Sequence, residues 1–209
     1  GALFNILLGF LIVVVMTAST PVLGTTTVTQ FNEGAVSPSY GLKEGDKIIS
    51  VNGKSVFVTD DITYYAATSS DGNVNMQVKR HGEVIDLNIQ FGVENIFPNF
   101  DFKVARAEKN IGTVISYSFW DTISMTRMIY SSIGGMITGQ YGIDDMAGPV
   151  GMVQQVSQAA RYGIDTFLWI AALITINLGI FNLLPIPGLD GGRLVFLIIE
   201  GIARRPAPK

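Results

Sequence analysis

The apolar residues of the chain concentrate at its two ends and leave a more polar stretch between them. Residues 3–16, LFNILLGFLIVVVM, continue to about Leu23 without a charged side chain, and about 20 apolar residues are needed to cross a bilayer. A second apolar block, 166–202, contains three charged residues, all near its end. The pattern therefore predicts one transmembrane span over residues 1–24 and another over 164–203.

A cleaved signal peptide is the alternative interpretation of the first block, because an apolar stretch is followed there by the small residues TAS. No basic residue precedes the stretch and Asn5 lies within its first turn, which favours a true span. Basic residues follow the second block, so the tail over 204–209 is predicted to be cytoplasmic. The residues between the spans then lie outside the cytoplasm.

Between the spans, the hydrophobic period becomes that of β-structure. KIISVNGKSV (47–56) predicts two strands joined by an Asn-Gly turn. NVNMQVKRHGEVIDLNIQF (73–91) alternates apolar and polar residues on both sides of a turn at His81 and Gly82. Residues 25–93 are therefore predicted to form a small β-barrel-like sandwich that also contains one helix.

That helix is predicted from VTDDITYYAATSS (58–70). The segment starts with Thr and Asp, which are common capping residues, and helical spacing places Ile62, Tyr65 and Ala66 on one face. We expect this face to cover the sheet.

The segment GAVSPSYGLKEGDKIISVNGKSV (34–56) resembles the core of a bacterial PDZ domain, where Gly-Leu-x-x-Gly-Asp leads into the strand before an Asn-Gly turn. PDZ domains bind an extended peptide as an added strand in a groove between a strand and a helix. The resemblance implies a small α+β domain over 25–93 that binds peptide C-termini or other extended peptides, with the helix at about 60–69 beside the groove. A small all-β domain that acts as a spacer is the alternative.

After this domain, FPNFDF breaks the periodicity, so residues 94–112 are predicted to be a linker. From 113 to about 136 apolar residues recur at helical spacing, and Trp120 and Tyr130 suit a membrane–water interface. Asp121 and Arg127 favour a helix on the membrane surface over a third span, which is the alternative. Residues 113–163 are therefore predicted to form an amphipathic, interfacial region that contacts membrane lipid.

The composition of the chain limits which partners and which kinds of catalytic or metal site it can have. Of the 209 residues 15% are charged, against about 25% in a typical soluble domain, and the mean hydropathy is +0.38. The formal net charge of -3 indicates no nucleic-acid partner. The sequence has no cysteine, and its single histidine, His81, excludes any site that needs two imidazoles from this chain. We expect His81 to be a solvated turn residue.

The stretch NLLPIPGLDGGRLVF (182–196) interrupts the second apolar block. Pro185 and Pro187 remove backbone donors, and the following glycines allow sharp turns. Irregular backbone at membrane depth survives only inside protein or beside a wet cavity, and a carboxylate such as Asp190 in a span marks a functional site. Three interpretations of Asp190 are open: a helix cap paired with Arg193, an ion site in the broken helix of an ion-coupled transporter, and a metal ligand of a hydrolytic site.

The spacing Asn-x-x-Pro-x-Pro-x-Leu-Asp-Gly-Gly closely resembles the LDG motif of site-2 proteases, which are intramembrane zinc metalloproteases, and favours the third interpretation. GALFN (1–5) is similar to the family's Gly-Pro-x-x-Asn opening of a span, although Ala2 replaces the proline. AGPVGMVQ (147–154) resembles the family's Gly-Pro-Val-Gly element. The order of these parts resembles a member of the regulator of sigma-E protease type with one PDZ domain, and it covers nearly the whole chain.

The resemblance implies a role for individual residues. Asp190 is the implied third ligand of Zn²⁺, beside two histidines. Residues with an implied role in substrate binding are Asn177, Asn182, Pro185 and Pro187. Residues that belong to the structural motifs are Asn5, Leu189, Gly191 and Gly192. For the two asparagines, hydrogen bonding between helices is the alternative.

The family's H-E-x-x-H motif, which supplies two histidines and the general-base glutamate, does not occur in these residues. We therefore expect a fragment that contains no catalytic residue of its own and is inactive alone. The resemblance implies a multi-pass protein of the cell membrane that cleaves transmembrane substrates, such as anti-sigma factors and remnant signal peptides, in regulated intramembrane proteolysis. A non-catalytic membrane-anchored PDZ scaffold, or pseudoprotease, is the alternative.

Overall fold

The computed structural model describes residues 1–69, 71–91, 100–138, 163–184, 188–193 and 197. The chain divides into two compact units. The sheet unit is Thr20–Ser124, and the helical unit is Gly1–Ser19 with Met125–Lys209. In chain order, the described helices and strands are α1 (Ala2–Ser19), β1 (Leu23–Phe31), a 3-10 helix (Ser37–Tyr40), β2 (Lys47–Val51), β3 (Lys54–Ser55), α2 (Thr59–Ala67), β4 (Asn73–Arg80), β5 (Glu83–Gln90), β6 (Phe102–Ala107), α3 (Ile111–Ile137) and α4 (Ile164–Leu183).

The sheet unit is built on a six-stranded antiparallel sheet of order β5-β4-β2-β1-β6, with β3 paired to β2. Both predicted turns are confirmed. Asn52 and Gly53 have φ of 47° and 73°, and His81 and Gly82 have φ of 49° and 93°. Two successive residues with positive φ match the right-handed twist of a hairpin, which is why Asn-Gly and His-Gly occupy these positions.

Helix α2 covers the core of the sheet unit, as predicted. Ile62, Tyr65 and Ala66 are all buried, together with residues from five strands. The start of the helix is fixed by Asp61, whose Oδ2 accepts hydrogen bonds from the backbone N–H groups of Phe57 at 2.7 Å and Val58 at 3.2 Å. A nine-residue helix is too short to persist alone, so packing and capping hold it in place.

The Gly-Leu-x-x-Gly-Asp stretch has a structural role in this unit. Asp46 is fully buried and accepts hydrogen bonds from the backbone of Lys43 at 2.9 Å and from Arg80 Nε at 2.6 Å. Burial alone would raise the pKa of Asp46, but the hydrogen bonds and positive charge of Arg80 hold it below its ordinary value. Arg80 also donates to the carbonyl of Gly41 at 2.7 Å, so the motif joins the loop before β2 to β4.

The prediction of a linker over 94–112 is wrong for Phe102–Ala107, which form strand β6. This strand pairs with β1 in a register that runs from Leu23 opposite Ala107 to Phe31 opposite Phe102. The alternation of apolar and polar residues in β6 is weak because Lys103 and Arg106 interrupt a short apolar segment. The strand is stabilised by pairing with a distant strand. The sheet unit therefore extends beyond the predicted domain over 25–93.

The helical unit contains both predicted apolar helices. By length and composition, α1 and α4 are the candidate membrane spans among the described residues. The predicted span over 1–24 is too long, because α1 ends at Ser19 and Leu23 already begins β1. Pro21 lies between them, and a proline disfavours helical backbone in the residue before it. The predicted tail over 204–209 lies outside the described residues.

Helices α1 and α4 pack at backbone distance. A Cβ atom built on Gly179 would lie 3.1 Å from the carbonyl oxygen of Ala2 and 3.2 Å from the backbone nitrogen of Ile6. The second part of α3 packs with these two helices, since its residues Met125 and Ile129 belong to the same cluster of buried apolar side chains. The remaining buried members of the cluster are Val13, Ala172, Ile176 and Ile180. Met125 and Ile129 lie four residues apart, so the helical spacing of apolar residues predicted for this segment is confirmed.

Gly179→Ala is expected to destabilise the helical unit by about 1–3 kcal/mol, because the added methyl group meets backbone atoms of α1 that cannot rotate away. The matched control is Gly134→Ala in α3, where no side chain or neighbouring element among the described residues lies within 4 Å of the added methyl group, and alanine favours the helix. Thermal unfolding in detergent micelles, followed by far-ultraviolet circular dichroism, should show a lower Tm for Gly179→Ala only. Equal Tm values for the two variants would contradict the close packing.

Candidate functional site

The end of α4 carries the two asparagines that the sequence analysis identified. Asn177 is partly buried, and its Oδ1 atom is inaccessible and has no hydrogen-bond partner in the described part of the chain. Asn182 is also partly buried, in the last turn of the helix. Five residues of α-helix correspond to a rotation of about 140°, so the two amides project from different sides of α4. The structure therefore does not bring them together on one face.

The predicted break in the apolar block is confirmed. Helix α4 ends at Leu183, and Leu184 has an extended backbone with ψ of 143° because a proline follows it. Gly188 has φ of 98°, which favours glycine. Helical backbone resumes at Asp190–Arg193, where the backbone N–H of Arg193 donates to Leu189 at 3.3 Å. Pro185 and Pro187 lie outside the described residues.

Asp190 occupies the first turn after this break, and its side chain is exposed. A Cβ atom built on Gly1 would lie 2.8 Å from Asp190 Oδ2, so the start of α1 approaches this carboxylate. Gly191 is buried, and a Cβ atom there would overlap the backbone of Leu183 and Leu184. Gly191 therefore lets the turn fold back against the end of α4, and this close packing sets the position of Asp190.

The other motif residues surround this turn. Gly192 is buried, Leu189 is partly buried, and Asn5 is partly buried in the first turn of α1. Within the described residues, no group of three or more His, Cys, Asp or Glu side chains could hold a metal ion. Asp190 has the chemistry and the exposure of one metal ligand. The described residues cannot complete a metal site without further ligands.

A second candidate site lies in the sheet unit, in a cleft of about 520 Å³ between α2 and the end of the sheet. Thr59 and Ile62 of α2 form one wall, and Phe102 and Val104 of β6 form the other. Strand β6 is the last strand of the sheet, with β1 as its partner. Sequence analysis identified the helix but missed this strand, because Lys103 and Arg106 obscure its alternation. Its one signal was the Phe-x-Val spacing at 102–104.

His81 lies exposed in the β4–β5 turn, which agrees with the expected solvated position.

The chain matches known proteins over nearly its whole length. The family model described as Peptidase family M50 matches residues 1–209. The chain is 33% identical over 210 residues to zinc metalloprotease RasP of Shouchella clausii, covering 99% of this chain and 50% of that protein. It is also 33% identical over 216 residues to the regulator of sigma-W protease RasP of Bacillus subtilis, with the same coverage.

A third relative is the probable protease eep of Enterococcus faecalis, which is 28% identical over 212 residues. This match covers 99% of the chain and 50% of the relative. The chain thus spans about half the length of the curated relatives that it matches. Since the family model extends over every residue, including the LDG turn at Asp190, the chain belongs to peptidase family M50, the site-2 protease family that its motifs resemble.

Proposed function

We propose that the chain is part of a zinc-dependent intramembrane protease that cleaves transmembrane proteins. The observation that carries this proposal is the exposed carboxylate of Asp190 at a break in an apolar chain segment, beside the start of α1. A carboxylate in such a place is costly unless it has a function. The names of the relatives, zinc metalloprotease and regulator of sigma-W protease, support the same activity.

Asp190 is proposed to be one of the metal ligands. Bound zinc lowers the pKa of a coordinated water towards about 7 and polarises the scissile carbonyl. The family resemblance assigns the remaining ligands to two histidines of an H-E-x-x-H motif that precedes the span corresponding to α1. The approach of Gly1 to Asp190 supports that assignment, because it brings the start of α1 to the carboxylate.

Substrate binding is proposed for the segment from Asn177 to the break. The backbone groups of a transmembrane helix are already hydrogen-bonded, so the helix must unwind before its carbonyl groups can react. The extended backbone of Leu184 can pair with an unwound substrate as a neighbouring strand would. Asn182 lies in the last turn of α4, two residues before Leu184, and is proposed to hydrogen-bond the unwound substrate. Pro185 is proposed to keep the backbone of Leu184 extended, and Pro185 and Pro187 are proposed to shape the substrate site.

In the full-length protein, Asn182→Ala is expected to retain zinc and to cleave more slowly, because the change removes a substrate contact and no ligand. The loss should be smallest for substrates whose transmembrane helix already contains glycine or proline. A cleavage assay in membranes, combined with zinc analysis of each purified variant, measures both effects. Loss of zinc in Asn182→Ala would contradict the assignment to substrate binding.

The sheet unit is proposed to be a PDZ-like domain on the extracytoplasmic side, where it selects substrates by binding an extended peptide. The cleft supports this proposal, since both helix α2 and the edge strand β6 line it. Lys103 and Arg106 are exposed at its border, which favours a peptide with acidic side chains or a free C-terminal carboxylate. Membrane-bound anti-sigma factors and remnant signal peptides are the proposed substrates of the complete, multi-pass protein.

Replacing Lys103 and Arg106 together by Glu is expected to weaken binding of an acidic peptide about tenfold, because an exposed ion pair contributes up to about 1 kcal/mol. The matched control replaces Lys54 and Lys79, which are exposed outside the cleft, by Glu. Fluorescence anisotropy of a labelled acidic decapeptide with the chain in detergent micelles gives both affinities. Equal weakening by the two double variants would show a nonspecific charge effect and would contradict binding in the cleft.

A further inference from the structure

The first part of α3 is fastened to α2 within the sheet unit. The hydroxyl of Ser124 donates a hydrogen bond of 2.9 Å to Oδ2 of Asp61, and both residues are fully buried. The same carboxylate oxygen caps the start of α2. A ring contact lies nearby, where Trp120 stacks on Phe57 with the ring centroids 4.6 Å apart. One carboxylate therefore organises α2 and also holds α3 against it.

Asp121 lies three residues before Ser124 on α3, so the two side chains share the face of the helix that meets α2. It is partly buried, and the charges that act on it are those of the Asp60 and Asp61 carboxyl groups. Burial, followed by the charge of Asp61, also raises the pKa of Asp60 above its ordinary value. Burial, followed by these two charges, raises the pKa of Asp121 to about 7. Asp60 and Asp61 face it from α2, and Tyr117 is the titratable group that faces it from α3.

Tyr117 lies one turn before Asp121 on α3, in the same environment. Its hydroxyl group shares a hydrogen bond with Thr59, the first residue of α2. The hydroxyl of Tyr117 is protonated at neutral pH even at the ordinary pKa of tyrosine, and burial, then the charges of Asp60 and Asp121, raise that pKa further. Tyr117 can therefore donate a hydrogen bond while adding no charge to the carboxylate cluster.

We propose that Asp121 is a proton-dependent latch between α2 and α3. When its carboxyl group carries a proton, the first part of α3 docks against α2 through the Ser124 hydrogen bond and the Trp120 stack. When the proton leaves, three adjacent carboxylates repel one another and this part of the helix loosens.

The sign of the pH dependence follows from proton linkage. In a detached α3, Asp121 would titrate at an ordinary value of about 3.9, whereas in the docked form it binds its proton up to a pH of about 7. Docking therefore takes up a proton. It is strongest below about pH 4, weakens as the pH rises towards 7, and changes little above that value.

The latch borders the cleft described above. Thr59 lines that cleft and also bonds Tyr117, so loosening of α3 alters one wall of the peptide site. The latch lies within the sheet unit and does not require protease activity.

The test uses the 209-residue chain in nonionic detergent micelles. Trp169→Phe leaves Trp120 as the one tryptophan, because the sequence has two. Acrylamide is uncharged, so its bimolecular quenching constant for Trp120 reports access to the ring independently of pH. We expect this constant to rise at least twofold from pH 4 to pH 7 and then to level off. In Asp121→Asn, which stays neutral, it should remain at the low value throughout.

Two further variants test whether the pH dependence comes from the carboxylates at the latch or from another titrating group. His81→Asn removes a side chain of the type that titrates near pH 6.5 and suits the positive φ of its turn, so the rise should persist. Asp60→Asn removes one neighbouring charge, so the rise should be smaller than in the parent. A constant that does not change in the parent between pH 4 and pH 7 would overturn the proposal. The proposal would also be overturned if the quenching constant rose as much in Asp121→Asn as in the parent. It would likewise be overturned if the rise disappeared in His81→Asn.

Discussion

Asp190→Asn in the full-length protein is expected to reduce cleavage by at least about 10- to 100-fold, going by the cost of losing even indirect metal contacts. The substitution keeps the shape of the side chain and its capacity to cap a helical turn, but it removes the negative charge that a zinc ligand supplies. Expression and membrane insertion should stay near those of the parent, because Asp190 is exposed and begins a short helical turn. Zinc content should fall together with activity.

The matched control is Asp165→Asn, which removes an exposed carboxylate from the first turn of α4. It should retain both zinc and cleavage. If Asp190 serves only as a cap, asparagine should replace it almost without effect, since both residues are favoured at such positions. Full activity in Asp190→Asn would therefore defeat the ligand assignment. Absence of cleavage and zinc in the parent full-length protein would instead favour the non-catalytic scaffold.

The sequence predicted the elements whose signal is local. Asn52-Gly53 and His81-Gly82 specify hairpin turns through their own backbone preferences, and alternation around them identifies the flanking strands. Helix α2 was predicted because Ile62, Tyr65 and Ala66 recur at helical spacing. The break before Asp190 was predicted because prolines and glycines act on the backbone wherever they occur. The resemblance of this break to the LDG motif then directed attention to Asp190.

Features that depend on distant partners could not be predicted in this way. Strand β6 is stabilised by β1, whose paired residues lie 71 to 84 positions earlier, and its own sequence carries two cations in six residues. The end of α1 was misplaced because Val22 and Leu23 are apolar in either a helix or a strand. The bond between Asp61 and Ser124 joins residues 63 positions apart, so no local pattern indicates it.

Ile62→Ala is expected to lower the free energy of unfolding of the sheet unit by about 2–5 kcal/mol, the usual cost of removing a fully buried isoleucine side chain and leaving a cavity. Ile62 is 1% exposed and belongs to the core cluster beneath α2. Since α2 has only nine residues, it depends on this contact to stay against the sheet. Ile62 also lines the cleft, so peptide binding should weaken in the same variant.

The matched control is Ile111→Ala, which makes the same chemical change at a position that is 86% exposed. Its effect on stability should stay within about 0.5 kcal/mol, because no buried contact is lost. Urea unfolding in detergent micelles, followed through Trp120 in the Trp169→Phe background, isolates the sheet unit from the apolar helices. A midpoint that falls for Ile62→Ala and holds for Ile111→Ala would show that docking of α2 depends on its buried face. If both midpoints stayed at the parental value, α2 would have to be held by the Asp61 cap instead, and the assignment of Ile62 to the core would be wrong.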